Sequence, residues 1–178
     1  MIDFIHQPCL GIAILLILAF IDLPLTLVAR SSYQKYMIRF VTYQSVKSGE
    51  SRKFGVLWIV IKILIAALIF AVWYIYDTSD FELAGKLYLW LLGFAIGSYL
   101  IIDIRHLESI MLSRLFARTD LVEGHISYHP DFSLKLSAVQ FFSIFIIFSL
   151  YAILFPGYFG LGLACAPLFL IIRNLLLS

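Results

Sequence analysis

The chain of 178 residues is 62% hydrophobic and only 13% charged, with a mean hydropathy of +0.99. A soluble domain carries about twice that fraction of charged residues, so a water-soluble fold could not cover this much apolar surface. The formal net charge of +2 is too small to indicate nucleic-acid binding. We therefore expect an integral membrane protein whose main partner is the lipid bilayer, with no nucleic acid bound.

Five apolar stretches follow one another along the chain, and a helix needs about 20 mostly apolar residues to cross the hydrocarbon core. They predict an all-α, polytopic membrane protein with a single transmembrane domain over residues 1–178. The predicted spans cover residues 8–29, 54–76, 85–104, 133–155 and 157–172.

The basic residues are concentrated in two of the polar segments, residues 30–53 and 105–132, whereas residues 77–82 carry only acidic charges. Cytoplasmic loops of membrane proteins are enriched in Lys and Arg. We therefore expect the N-terminus outside and the C-terminus inside, in a multi-pass protein of the cell (inner) membrane.

Both basic segments contain patterns of regular structure. The first has apolar and aromatic residues at helical spacing, which predicts a helical extension after span 1: Tyr33, Tyr36, Met37, Phe40 and Val41. An apolar stripe continues span 3 as a second cytoplasmic helix to about Arg118. Polar and apolar residues then alternate over 125–129, before a predicted turn at Pro130 and Asp131, which indicates a short hairpin or an ordered loop.

Asp22 and Lys62 are charged residues deep inside the first two predicted spans, and such residues are functional candidates by default. Asp22 lies eight residues before Arg30, and Lys62 lies eight residues after Phe54. At 1.5 Å per residue, both side chains are about 12 Å from the inner ends of adjacent antiparallel helices. Pro24 frees backbone acceptors near the same level. The pattern predicts an ion pair, which could relay charge, bind an ion or only fix helix register; snorkelling of Lys62 is a further alternative.

Polar residues also gather on the predicted cytoplasmic rim after span 3. The candidate rim site consists of Asp103, Arg105, His106, Glu108, His125 and His129. Three histidines with a carboxylate could hold a divalent metal, and Arg105, Arg114 and His106 could bind phosphate. However, no metalloprotein signature such as H-E-x-x-H is present, and a solvated, hydrogen-bonded rim explains the same residues. We therefore predict no metal, and the cofactor is unknown.

Small residues recur at four-residue spacing in two spans, where they allow close helix packing in lipid. Gly93 and Gly97 form a G-x-x-x-G motif in span 3, and Gly160 and Ala164 form a similar pair in span 5. These faces could pack within the chain or mediate self-association.

No catalytic residue is identifiable, so the sequence leaves the function open. The intramembrane charge pair and the small-residue faces favour a small homo-oligomeric transporter or channel. One alternative is a membrane-embedded enzyme that acts on a lipid headgroup at the cytoplasmic face, using the rim residues. The other is an accessory or assembly subunit without chemistry of its own.

Overall fold

The computed structural model describes residues 4–38, 40–43, 53–118, 124, 126–128 and 130–177. Within these residues the chain forms five α-helices and two short strands. The helices are α1 (Pro8–Ser32), α2 (Lys53–Ser79), α3 (Glu82–Arg118), α4 (Pro130–Leu154) and α5 (Tyr158–Leu176). All five are long and apolar enough to cross a membrane. The protein is thus all-α and multi-pass, as the composition predicts.

The longest helix, α3, organises the bundle. Its 37 residues extend about 55 Å, compared with about 30 Å for a hydrocarbon core. It packs against α1, α2 and α5, while α4 packs mainly against α5. One apolar cluster joins α1, α2 and α3, and its buried residues include Leu15, Ile69 and Leu92. A second joins α3, α4 and α5 through Ile101, Phe141, Ala166 and Leu170.

Helices α3 and α5 approach so closely that backbone meets backbone. A Cβ atom at Gly93 would clash with the carbonyl oxygen of Phe159, and one at Gly162 would clash with the carbonyl oxygen of Trp90. Gly160 faces the next helix, because its Cβ would lie 3.2 Å from the Cα of Ala152 in α4. Glycine is required at Gly93 and Gly162 by the lack of space rather than by backbone conformation, and the contact at Gly160 is tight.

Gly97 and Ala164, the other two small residues of the predicted packing faces, differ from each other in their placement. A Cβ atom at Gly97 would lie 3.0 Å from the Cβ of Ala166, so Gly97 also faces α5. Ala166 is fully buried there, whereas Ala164 is only half-buried. The G-x-x-x-G motif of α3 therefore packs within the chain, against Phe159, Leu163 and Ala166 of α5.

Between α1 and the first strand, the chain departs from the predicted helix. A π-helical turn, Tyr33–Met37, continues α1, but the helix does not extend to Val41. Val41 instead begins β1 (Val41–Tyr43), and the hydroxyl of Tyr33 donates a 2.7 Å hydrogen bond to the carbonyl of Val41. The rings of Phe40 and Phe116 lie 5.6 Å apart, which attaches this segment to the end of α3.

The second strand, β2 (Ile126–Tyr128), has its described partner far away in the sequence. It pairs in parallel with β1, and Val41 aligns with Ile126 in the register. Pro130 is the first residue of α4 rather than part of a turn, a position where the missing backbone donor costs nothing. The pairing brings the two basic segments together at one end of the bundle.

Candidate functional site

The two charged residues predicted inside the spans are in direct contact. The Nζ atom of Lys62 lies 2.6 Å from Oδ2 of Asp22, and the two side chains are 5% and 11% exposed. The same ammonium donates a 2.7 Å hydrogen bond to the carbonyl oxygen of Ala19. Lys62 is therefore held at Asp22 and does not snorkel toward the membrane surface.

The backbone near Pro24 contributes to this arrangement. A proline at position 24 cannot donate to the carbonyl of Phe20, and its ring loosens the adjacent turn of α1. The acceptor that Lys62 uses belongs to Ala19, one residue before Phe20. The carbonyl that the proline leaves without a helical donor is therefore next in sequence to the one that Lys62 uses.

Two aromatic rings flank the ammonium group. Nζ of Lys62 lies 5.2 Å from the ring centroid of Tyr99 in α3 and 5.7 Å from that of Trp58 in α2. Cations at this distance from an aromatic ring are attracted to its negative face. The ammonium therefore has one carboxylate, one carbonyl and two rings as neighbours.

The second oxygen of Asp22 connects the pair to α3. Oγ1 of Thr26 lies 3.2 Å from Oδ1 of Asp22 and 2.9 Å from Nε2 of His106. Nε2 of His106 is itself 3.4 Å from the same carboxylate oxygen. One hydroxyl and one imidazole nitrogen thus contact a single carboxylate oxygen, so the protons can be shared in more than one way.

A second carboxylate, Asp103, lies one turn before His106 on α3. It is only 6% exposed, and within the described part of the chain neither of its oxygens has a hydrogen-bond partner. Asp103 is nevertheless within electrostatic range of Asp22, Lys62 and His106. Buried carboxylates are nearly always paired or hydrogen-bonded, so this residue needs an explanation.

Six side chains from three helices form what we call the polar cluster: Asp22, Thr26, Lys62, Tyr99, Asp103 and His106. The sequence predicts that span 3 ends at residue 104 and that Asp103 and His106 belong to the cytoplasmic rim. The structure places His106 against Asp22 and Thr26 instead, so the intramembrane pair and part of the rim belong to one site.

The remaining rim residues do not join the polar cluster. Arg105 donates a 3.2 Å hydrogen bond to Oγ of Ser137 and lies 5.0 Å from the ring centroid of Phe141, so it faces α4. Glu108 is exposed. His125 and His129 lie outside the described residues. Among the residues that are described, no group of three His, Cys, Asp or Glu side chains could hold a metal ion.

Sequence reasoning missed two members of the cluster, Thr26 and Tyr99. Each had a visible signal, because Thr26 lies four residues after Asp22 and Tyr99 lies four residues before Asp103. Residues four apart share a helix face. The spacing therefore predicts a polar stripe on each of these two apolar helices. It does not predict that the two stripes are in contact.

Comparison with known proteins assigns no family. A scan against protein-family models, a search of curated proteins and a search of solved structures each found no match. The site must therefore be interpreted from its own geometry.

Proposed function

We propose that the protein is a small transporter or channel for a monovalent cation, the proton included, and that the polar cluster is its binding site. The observation that carries the proposal is Asp103, a buried carboxyl group without a hydrogen-bond partner among the described residues. Ionisable residues inside membrane spans are costly and mark ion or proton pathways.

The charge balance of the cluster favours a monovalent cation. Lys62 neutralises one carboxylate, Asp22, at 2.6 Å. The two carboxylates and one ammonium leave one net negative charge when the imidazole of His106 is neutral. A single additional positive charge on Asp103 balances the site, whereas an anion would add to the imbalance.

Helix packing alone accounts for the ion pair but not for Asp103. A paired Lys and Asp can fix the register of α1 against α2 without any catalytic or transport role. A second carboxyl group at the same level adds a desolvation cost and, among the described residues, forms no hydrogen bond that would offset it. A cation that binds and leaves would give this group its function.

The proposal includes an assembly of several copies and a defined orientation. Only 17% of the 18-residue hydrophobic stretch within Leu57–Ser79 is buried, so the helix that carries Lys62 is largely uncovered by the rest of the chain. A neighbouring copy could enclose the pathway. Light scattering of the detergent-solubilised protein should then give the mass of an oligomer. An epitope tag inserted at Gly49 should be accessible only from the cytoplasm, as the basic segments predict.

The experiment is a flux measurement in proteoliposomes. Proton flux would be followed with an internal pH dye, and sodium and potassium flux with ²²Na⁺ and ⁸⁶Rb⁺. We expect the wild type to move at least one of these cations and Asp103→Asn to lose that flux. The matched control is Glu108→Gln, which removes an exposed carboxylate from the same helix and should leave the flux unchanged.

Two results would refute the proposal. One is a folded wild-type protein that moves none of the three cations; the other is an Asp103→Asn variant with wild-type flux. Either result would favour the accessory subunit or the enzyme acting on a lipid headgroup. In the described part of the rim, Arg105 contacts Ser137 of α4 and Glu108 is exposed.

A further inference from the structure

One residue of the polar cluster is more accessible than the charged pair beside it. The side chain of His106 is 26% exposed, whereas those of Lys62 and Asp22 are 5% and 11% exposed. A group that exchanges protons with water must be reachable, and His is the side chain best suited to such exchange near neutral pH. Of these three side chains, His106 is therefore the best placed to receive a proton from outside the cluster.

A hydroxyl group connects this entrance to the buried carboxylate. Oγ1 of Thr26 is within hydrogen-bond distance of both Nε2 of His106 (2.9 Å) and Oδ1 of Asp22 (3.2 Å). A hydroxyl can donate one proton and accept another at the same time. Thr26 can therefore pass a proton between the imidazole and the carboxylate without moving.

We propose that the transported or coupling ion is a proton, and that it enters the polar cluster along the path His106, Thr26, Asp22. This inference rests on the proposed function and names its ion. The contacts along this path favour a proton, because a hydroxyl shared between an imidazole and a carboxylate is suited to proton transfer.

Proton transfer along this path breaks one N–H bond and one O–H bond. A proton binds Nδ1 of a neutral His106 that carries hydrogen on Nε2. The Nε2–H bond breaks and its proton forms a bond to Oγ1 of Thr26, while the original hydroxyl proton of Thr26 moves to Oδ1 of Asp22. The imidazole ends neutral with its proton on Nδ1, and the carboxyl group ends protonated. One proton has entered, and one carboxylate charge has been neutralised.

Charged and titratable groups from several elements surround His106. Asp22 faces it from α1, Lys62 lies on α2, and Asp103 and Tyr99 lie on its own helix. On the π-helical turn, Lys35 is exposed and its ammonium lies over the ring of Tyr36. A protonated Asp22 carries no charge, so its electrostatic attraction for Lys62 is lost while its hydrogen-bonding oxygens remain. Proton entry therefore weakens the ion pair that holds Lys62 at Asp22.

The test uses full-length protein in liposomes that contain a pH dye, with an imposed membrane potential. Thr26→Val removes the hydroxyl with little change in shape, whereas Thr26→Ser keeps it. His106→Gln keeps a hydrogen-bonding side chain that cannot take up or release a proton. We expect proton flux to fall at least about tenfold in the Val and Gln variants. It should stay close to the wild-type rate in the Ser variant. The matched control is His6→Gln, which changes an exposed histidine at the other end of α1.

The outcomes separate this inference from the proposed function. If the wild type moves ²²Na⁺ or ⁸⁶Rb⁺ but not protons, and Asp103→Asn abolishes that flux, the function stands and the proton inference is wrong. Proton flux that is unaffected by both Thr26→Val and His106→Gln also overturns the path. Flux that survives Asp103→Asn overturns the function itself. Size-exclusion profiles identify any variant that fails to fold. If either Thr26→Val or His106→Gln fails to fold, the proton flux of the other variant tests the path.

Discussion

Replacing Lys62 with methionine removes the ammonium that neutralises Asp22 while keeping an unbranched side chain. At 2.6 Å and an effective dielectric constant of about 20, the attraction between the two charges is about 6 kcal/mol. The desolvation of two ions offsets most of this attraction in the intact protein. Loss of one partner leaves the other charge buried without compensation, and such changes cost about 3–5 kcal/mol.

We therefore expect Lys62→Met to lower the free energy of unfolding by about 3–5 kcal/mol, and Asp22→Leu to lower it by a similar amount. The double variant, Lys62→Met with Asp22→Leu, replaces both charges with apolar groups. It should lie within about 1 kcal/mol of the wild type, because removing both partners leaves the net charge of the polar cluster unchanged. The two single effects are thus strongly non-additive.

The assay is reversible unfolding in mixed micelles with increasing dodecyl sulfate, followed by helical circular dichroism. The control is Lys86→Met, which breaks the exposed pair with Glu82 and should cause no measurable change. The reasoning fails if Lys62→Met costs less than about 1 kcal/mol, or if the double variant costs the sum of the two single variants.

Two further predictions concern the packing and the loops. Gly93→Ala should destabilise the protein by about 1–3 kcal/mol in the same assay, because its Cβ clashes with backbone, whereas Gly157→Ala adds a Cβ in open space and should cost much less. Equal effects would contradict the packing argument. Cysteines at Thr42 and Ser127, which are register partners, should form a disulfide that changes electrophoretic mobility under mild oxidation. A pair of cysteines at Thr42 and Ile126, which are not register partners, should not form this disulfide. Equal disulfide yields for the two pairs would refute the register.

The membrane-spanning character of the chain could be predicted from local sequence alone. A run of about 20 apolar residues has one favourable solvent, and a helix satisfies its own backbone hydrogen bonds there, so no tertiary information is needed. The axial levels of Asp22 and Lys62 are also local, because they follow from counting residues to the ends of two adjacent helices. The structure places the two side chains in contact.

Segments between the helices were predicted less well, for a different reason. Apolar spacing indicated a helix through Val41, yet that residue begins a strand whose partner is Ile126, 85 positions later. The hydrogen bonds of a strand come from a neighbour that the local pattern does not specify. Periodicity also cannot show whether a small-residue face meets another helix of the same chain or of a second copy.

By itself, the sequence determined that this is an all-α protein with five helices suited to a bilayer, and it identified the charged residues inside them. Only the tertiary structure joined Asp103 and His106 to Asp22 and Lys62 and separated them from Arg105. That grouping depends on the axial offset between α1 and α3 and on the rotation of α3 about its axis. Both are set by contacts among several helices at once, so neither can be read from the spacing of residues along one of them.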